Sequence, residues 1–316
     1  MSLPDWLIER GIGETRFACV VDGAIVAAHI ALDGFARAGE ILDARLTKVG
    51  RPTVATVGDE EYLLPGGAPG VTQGAAVQIQ VTRERIPGAE PWKRPLAKLA
   101  GNEPGQAGEI AGTSLAFPAP SDPLEAAGWS DLLDEARTGI VRFAGGELRI
   151  SPTPAMTLFD VDGFLDPREL ALVGAEAAAR AILRLEIGGS IGLDLPTIAG
   201  KADRQAVGEA IDAILPKPFE RTAMNGFGFV QIVRPRRRAS LVELAQNRAP
   251  FEARALLRRT AFEPVGSKRL VVHPALVAIF ESKPEWLDAL AGHVGGAISL
   301  RADPSLPISG GYAEQA

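Results

Sequence analysis

Met156–Leu195 reads MTLFDVDGFLDPRELALVGAEAAARAILRLEIGGSIGLDL. MTLFDVDG has the look of a strand. PRELALVGAEAAARAILRLEI is crowded with Ala, Leu, Glu and Arg, which are strong helix formers. Gly188-Gly189 is expected to stop that helix, and SIGLDL then reads as a short buried strand. Upstream, SDLLDEARTG predicts a helix with Ser130 as N-cap and Gly139 near its end. IVRF and ELRIS follow as strands around Gly145-Gly146. Downstream come a helix (KADRQAVGEAIDAIL) and a strand (FGFVQIVRPR). Strands alternating with helices imply a sheet covered by helices.

The flanks have a different texture. TRFACVVDG and AIVAAHIAL, joined by Asp22-Gly23, give a strong hairpin signal. From Gly39 to Leu99, GEILDARLTKVG, TVATVG, EYLLPGG and AAVQIQVTRERI are short strand-like runs bounded by Gly and Pro, as in a small barrel or sandwich. Residues 100–123 shift to Gly, Pro, Ala and Ser and read as a linker. From Ala249 onward, a helix (FEARALLRRTAF), a strand (RLVVH), a helix (PALVAIFESKPEWLDALAGHV) and a strand (GAISLRAD) suggest a small α+β unit. There is no internal repeat.

Hydrophobic residues make up 46% and charged residues 23% of the 316 residues, the balance of an ordinary globular chain. The formal net charge is −6. A nucleic-acid binder is more often basic, so a local basic stretch would have to carry any such binding. Aromatics are 6%, which limits the number of base-stacking platforms. One cysteine, Cys19, rules out an intrachain disulfide and a multi-cysteine zinc site. The three histidines are scattered. The first residues, MSLPDWLIERG, resemble neither a signal peptide nor a membrane span, so no membrane association is expected and the cytoplasm is the default location.

Two acidic places stand out. Asp160 and Asp162 flank Val161, and on a strand such a pair shares one face. Asp194 closes an apolar run, where a carboxylate is costly to hide alone. If the two strands are neighbours, the three acids converge beyond the strand ends, where open α/β sheets gather functional groups. Hard carboxylate oxygens suit Mg²⁺. The other reading is that these aspartates only form turns at strand ends. A third feature is Arg234, Arg236, Arg237 and Arg238 in VRPRRRAS. Pro235 favours an extended backbone there, from which the arginines would fan out as a phosphate track or simply form a solvated face. Phe227 lies just before them; with Phe229 it either serves the ligand or faces the core. There is no GxSxG elbow, P-loop or HExxH, and GGSIG lacks the following helix of a dinucleotide site.

Together, SDLLDEARTGIVRFAGGELRI, LFDVDG, AEAAARAILRLEIGG, SIGLDLP and FGFVQIVRPRRRASL make residues 129–241 resemble the catalytic, DNase-I-like subdomain of the ribonuclease E/G family. Residues 39–99 resemble the family's inserted S1-type OB-fold through GEILDARLTKV, EYLLP and GAAVQIQVTRE. The resemblance implies a mixed α/β and β multidomain chain. Its expected parts are N-terminal strands of a reduced RNase-H-like element (1–38), an S1-type OB barrel (39–99), a linker (100–123), the DNase-I-like catalytic subdomain (124–246) and a small α+β domain (247–316).

The resemblance also implies a function. Asp160 and Asp194 match the family's magnesium-binding aspartates, and Asp162 stands where the family has an Asn that orients the attacking group. Arg83 matches a basic residue near the RNA. Tyr62 is the nearest substitute for a stacking aromatic, and Lys93, Phe227, Arg234 and Arg236 to Arg238 join the expected RNA contacts. The implied enzyme is an endoribonuclease that cuts single-stranded RNA by in-line attack of a metal-activated water, leaving a 5′-phosphate and a 3′-hydroxyl. Mg²⁺, or Mn²⁺ given Asp162, is the expected cofactor. The family's Cys-Pro-x-Cys zinc link is missing, so no zinc is expected, and a homodimer would have to form through the small domain. The Arg-Thr-Ala-Gly motif is also missing. These departures keep open a relative that binds RNA or regulates its decay without cutting it.

Overall fold

The computed structural model describes residues 6–87, 93–101 and 110–316. In chain order the first strands are β1 (Trp6–Arg10), β2 (Glu14–Val21), β3 (Ala24–Leu32), β4 (Ile41–Lys48), β5 (Thr53–Val57), β6 (Glu60–Leu64), β7 (Ala76–Arg83), β8 (Leu96–Leu99) and β9 (Gly112–Leu115). Then come α1 (Pro123–Ala126), α2 (Trp129–Thr138), β10 (Ile140–Phe143), β11 (Gly146–Pro152), β12 (Thr157–Gly163), α3 (Pro167–Arg184), β13 (Gly189–Asp194) and α4 (Lys201–Ile214). The chain ends with β14 (Glu220–Arg221), β15 (Phe229–Arg234), α5 (Leu241–Gln246), α6 (Arg248–Ala261), β16 (Lys268–Val272), α7 (Pro274–Ser282), α8 (Pro284–Val294), β17 (Ile298–Ala302) and β18 (Tyr312–Gln315). These fall into two compact units. One joins Met1–Asp33, Ala111–Leu133 and Leu244–Ala316; the other joins Gly34–Ile110 and Asp134–Glu243.

The first unit carries a four-stranded sheet in the order β3-β2-β1-β9. Asp22 and Gly23 turn the β2–β3 hairpin with φ of 50° and 78°, the left-handed pair such a turn requires. β9 lies inside the Gly/Pro-rich stretch read as a linker, yet it pairs with β1 in parallel. It is a short edge strand with mostly exposed side chains, a position that tolerates poor strand formers. The C-terminal part builds a three-stranded sheet, β17-β16-β18. Leu257, Leu270, Phe280 and Leu290 fill the core between its helices and strands. The single helix expected over 274–294 is two, because Pro284 opens α8 after Lys283 leaves helical geometry. Ser130 is not an N-cap either: α2 begins one residue earlier, and the Ser130 hydroxyl donates to Glu125 at 2.9 Å.

The second unit holds a closed five-stranded barrel, β4-β5-β6-β8-β7, around Leu46, Ala55, Tyr62, Leu64, Ile79 and Val81. It also holds a six-stranded sheet in the order β10-β11-β12-β13-β15-β14. Only the central pair, β12 and β13, runs parallel; the other ladders are antiparallel. Helix α3 makes the crossover between them. Asp166 caps it by accepting from the backbone N–H of Arg168 and Glu169, and Pro167 occupies its first turn. Its small residues face the sheet. A Cβ on Gly174 would stand 2.5 Å from Val161 Cγ1, so only glycine lets the helix approach this closely. The helix ends at Arg184, ahead of Gly188-Gly189, and the chain reverses through Glu186 at φ 54°. No helix among the described residues is long and apolar enough to cross a membrane.

Candidate metal and phosphate site

The alternation of β12 sorts its side chains. Phe159 and Val161 are buried under α3, whereas Asp160 and Asp162 are exposed on the other face. In the parallel ladder Asp160 stands directly opposite Asp194, the last residue of β13. Residues paired in this way project to the same face, and neighbouring strands lie about 4.8 Å apart. Asp160 and Asp194 are therefore adjacent carboxylates on an open sheet face, where the parallel ladder of the two strands ends. The row continues on both sides, with Arg149 opposite Asp160 and Phe229 opposite Asp194.

Asp162 is not gathered into the same cluster. It lies two residues further along β12, roughly 6–7 Å at strand rise, and the ladder with β13 ends before it. Its cross-strand neighbour is Glu147, another acid. Among the described residues, no group of three or more His, Cys, Asp or Glu side chains forms a metal-binding set. The expected triad is thus a pair with a displaced third acid. The pair still fits a Mg²⁺ ion, which takes one or two protein carboxylates and fills the rest of its shell with water.

Arg149 was not singled out in the sequence. It is the one cation in the row with Asp160 and Asp194, and its Nε and a terminal nitrogen both donate to Glu147, at 3.0 and 2.8 Å. Phe164 was also missed. It follows β12 directly and is 85% exposed, as is Phe227. Such exposure removes the core reading for Phe227. Its turn is well braced: Asn225 Oδ1 accepts from the N–H of Phe227 and Phe229 at 2.9 and 3.0 Å, and Thr197 donates to the Phe227 carbonyl at 3.2 Å. Phe229 is half-buried, and Gly192 makes room for its ring, because a Cβ there would meet it at 2.6 Å.

The arginine cluster lies at the opposite end of β15. Phe229 pairs with Asp194 but Arg234 pairs with Gly189, so about 17 Å of strand separates them at 3.3–3.4 Å per residue. The arginines do not simply fan out. Arg236 is paired with Glu243, and Arg238 reaches Glu186 at 3.2 Å and Glu84 at 3.6 Å. Arg234 donates to the Ile187 carbonyl at 3.0 Å, and burial draws its guanidinium below the ordinary arginine pKa against the pull of Glu186. Arg237 is exposed, with no carboxylate partner among the described residues. Of the carboxylates that tie the cluster down, Glu84 and Glu186 come from distant parts of the chain and Glu243 from the next helix.

The barrel residues are placed as follows. Tyr62 is 3% exposed, so its ring belongs to the barrel core and offers no face to a ligand. Burial, then the neighbouring Glu60, push its phenol pKa up. Arg83 is half-buried and donates to the Arg94 carbonyl at 2.8 Å. Lys93 is half-buried as well. Compared with models of known protein families and with curated proteins, the chain matches none.

Proposed function

We propose that this chain is a divalent-metal-dependent endoribonuclease of the ribonuclease E/G type, acting on single-stranded RNA. The observation that carries the reading is the register of Asp160 against Asp194. It brings together, from two strands joined by a long helix, the two carboxylates that the family resemblance selects. The five-stranded barrel supports an S1-type OB-fold, and the helix-covered sheet supports a DNase-I-like catalytic subdomain.

Asp160 and Asp194 would hold Mg²⁺ or Mn²⁺. A bound ion supplies positive charge at a phosphoryl oxygen and acidifies a water. The protein's own part is positioning and charge. Asp162 can accept a hydrogen bond from the attacking water, as the family's Asn orients it, but as an anion it donates none in return. Arg149, beside Asp160, can turn a donor toward a phosphate oxygen by loosening one of its two bonds to Glu147. Phe227 and Phe164 offer exposed rings on which bases can stack.

The test is incubation of the pure protein with an unstructured oligoribonucleotide and Mg²⁺ or Mn²⁺. Cleavage to 5′-phosphate ends is expected, falling at least ~100-fold in Asp160→Ala and in Asp194→Ala, since even loss of an outer-shell partner costs 10–100-fold. A second reading, an RNA-binding or decay-regulating relative without cleavage, is favoured by the extra negative charge of Asp162 and the buried ring of Tyr62. It wins if neither metal yields products while binding persists and falls with salt.

A further inference from the structure

At the end of β15 remote from the aspartates, the second unit contains a pocket of about 400 Å³. The segment Arg234 to Arg238 forms one wall, and Lys217 and Gly188 belong to the rest. Glu186 is the acidic residue in the lining. Charge accounting shows an excess of cations. Arg236 and Arg238 are matched by carboxylates. Arg234 donates to a carbonyl and feels the charge of Glu186, and Lys217 meets the Phe219 carbonyl at 3.1 Å and its ring at 3.9 Å while its charge also acts on Asp212. Arg237 is exposed without a carboxylate partner among the described residues.

Among the described residues the lining therefore sets Lys217, Arg234, Arg236, Arg237 and Arg238 against the carboxylate of Glu186, an excess of positive charge even after Glu243 and Glu84 are counted. The Nε groups of Arg234 and Arg236 are buried and find no acceptor among the described residues, while that of Arg238 has Glu84 at 3.6 Å. An unmatched buried donor costs about 1–3 kcal/mol, so the wall is short of acceptors. The wall is also stiff. A Cβ on Gly188 would stand 2.9 Å from the Pro235 carbonyl, so the backbones touch, and Pro216, Pro218 and Pro235 restrict the rim. Guanidinium forks in a fixed frame match phosphate oxygens. The volume lies in the range of small-ligand sites and leaves room beyond one oxyanion for a sugar and base beside the prolines.

The geometry points to this pocket as a binding site for the phosphate of a nucleotide, free or within an RNA chain. It is separate from the phosphate that would be cut, given the length of β15 between them, and it does not depend on the metal. The test is calorimetric titration of metal-free protein at low salt with adenosine monophosphate, adenosine, inorganic phosphate and an unstructured oligoribonucleotide.

Saturable binding of adenosine monophosphate with none of adenosine is expected when the ligand is a free nucleotide. Binding of the oligoribonucleotide alone assigns the phosphate to RNA. In either case Lys217→Ala combined with Arg237→Ala should weaken binding at least tenfold. Both side chains are exposed, so the melting temperature should hold. Asp160→Asn combined with Asp194→Asn should leave this binding intact, which separates its failure from failure of the nuclease reading. The inference is overturned if the Lys217/Arg237 double variant binds as well as the parent, if adenosine binds as tightly as its monophosphate, if inorganic phosphate alone binds, or if no ligand binds.

Discussion

Two groups of charges in this molecule are handled in opposite ways. In the first unit, Glu9, Glu14, Arg16, Arg254 and Arg258 are all buried, and each is matched. Glu9 accepts from Arg16 at 2.7 Å and from Arg258 at 2.9 and 3.1 Å; Glu14 accepts from Arg16 at 2.7 Å and from Arg254 at 2.8 Å. Arg258 also reaches Asp122 at 2.6 Å. Burial pulls its guanidinium pKa down, but the bonds to Asp122 and Glu9 more than offset this and leave it raised. In the second unit, Asp160 and Asp194 stand side by side in water with like charges facing across a ladder, an arrangement that weakens a sheet. Buried charges must be paired to exist at all, so their pairing says little about function. Adjacent exposed acids have no such structural duty, and the proposed function rests on that difference.

The contrast can be broken from either side. The largest expected effect is on the buried group. Glu9→Ala leaves two arginines without their shared carboxylate and should cost about 3–5 kcal/mol of stability, read as a lower denaturation midpoint in urea. A cost below ~1 kcal/mol, the range of a surface ion pair, would mean that water reaches the cluster. Next is Phe227→Ala, which should weaken oligoribonucleotide affinity by about 1–3 kcal/mol without lowering the melting temperature, because the ring is exposed. Unchanged affinity would remove the aromatic from the site. The smallest effect belongs to a surface pair. A hydrogen bond from Arg221 lowers the Asp212 carboxyl pKa. Its stabilising contribution is therefore full above the ordinary carboxylate range and lost as pH falls through the lowered value. Asp212→Asn should cost less than ~1 kcal/mol at neutral pH, and the difference should begin to shrink only as pH falls toward about 4 and vanish once it is below the lowered value.

The sequence made the strand–helix–strand order around Asp160 and Asp194 legible because periodicity and composition are local. It made the face shared by Asp160 and Asp162 legible for the same reason. Register is not local, so that Asp194 pairs with Asp160 and not with Asp162 could only be a conditional statement. The short edge strands β9 and β18 escaped because their residues bury little and leave almost no pattern. The arginine cluster read as a track because its partners Glu84 and Glu186 are brought to it by the fold, and because nothing in the spacing alone showed that Glu243, seven residues on, turns back to Arg236. Phe227 resisted reading because a period of two at a strand entrance continues into a turn, where alternation no longer fixes direction.

The most direct test is calorimetric titration of Mg²⁺ into the protein and its Asp160→Asn, Asp194→Asn and Asp162→Asn variants, without RNA. One saturable site is expected in the parent, lost in the first two variants and kept in the third. Equal binding by all four proteins, or none by the parent at millimolar Mg²⁺, would contradict the shared-ion account.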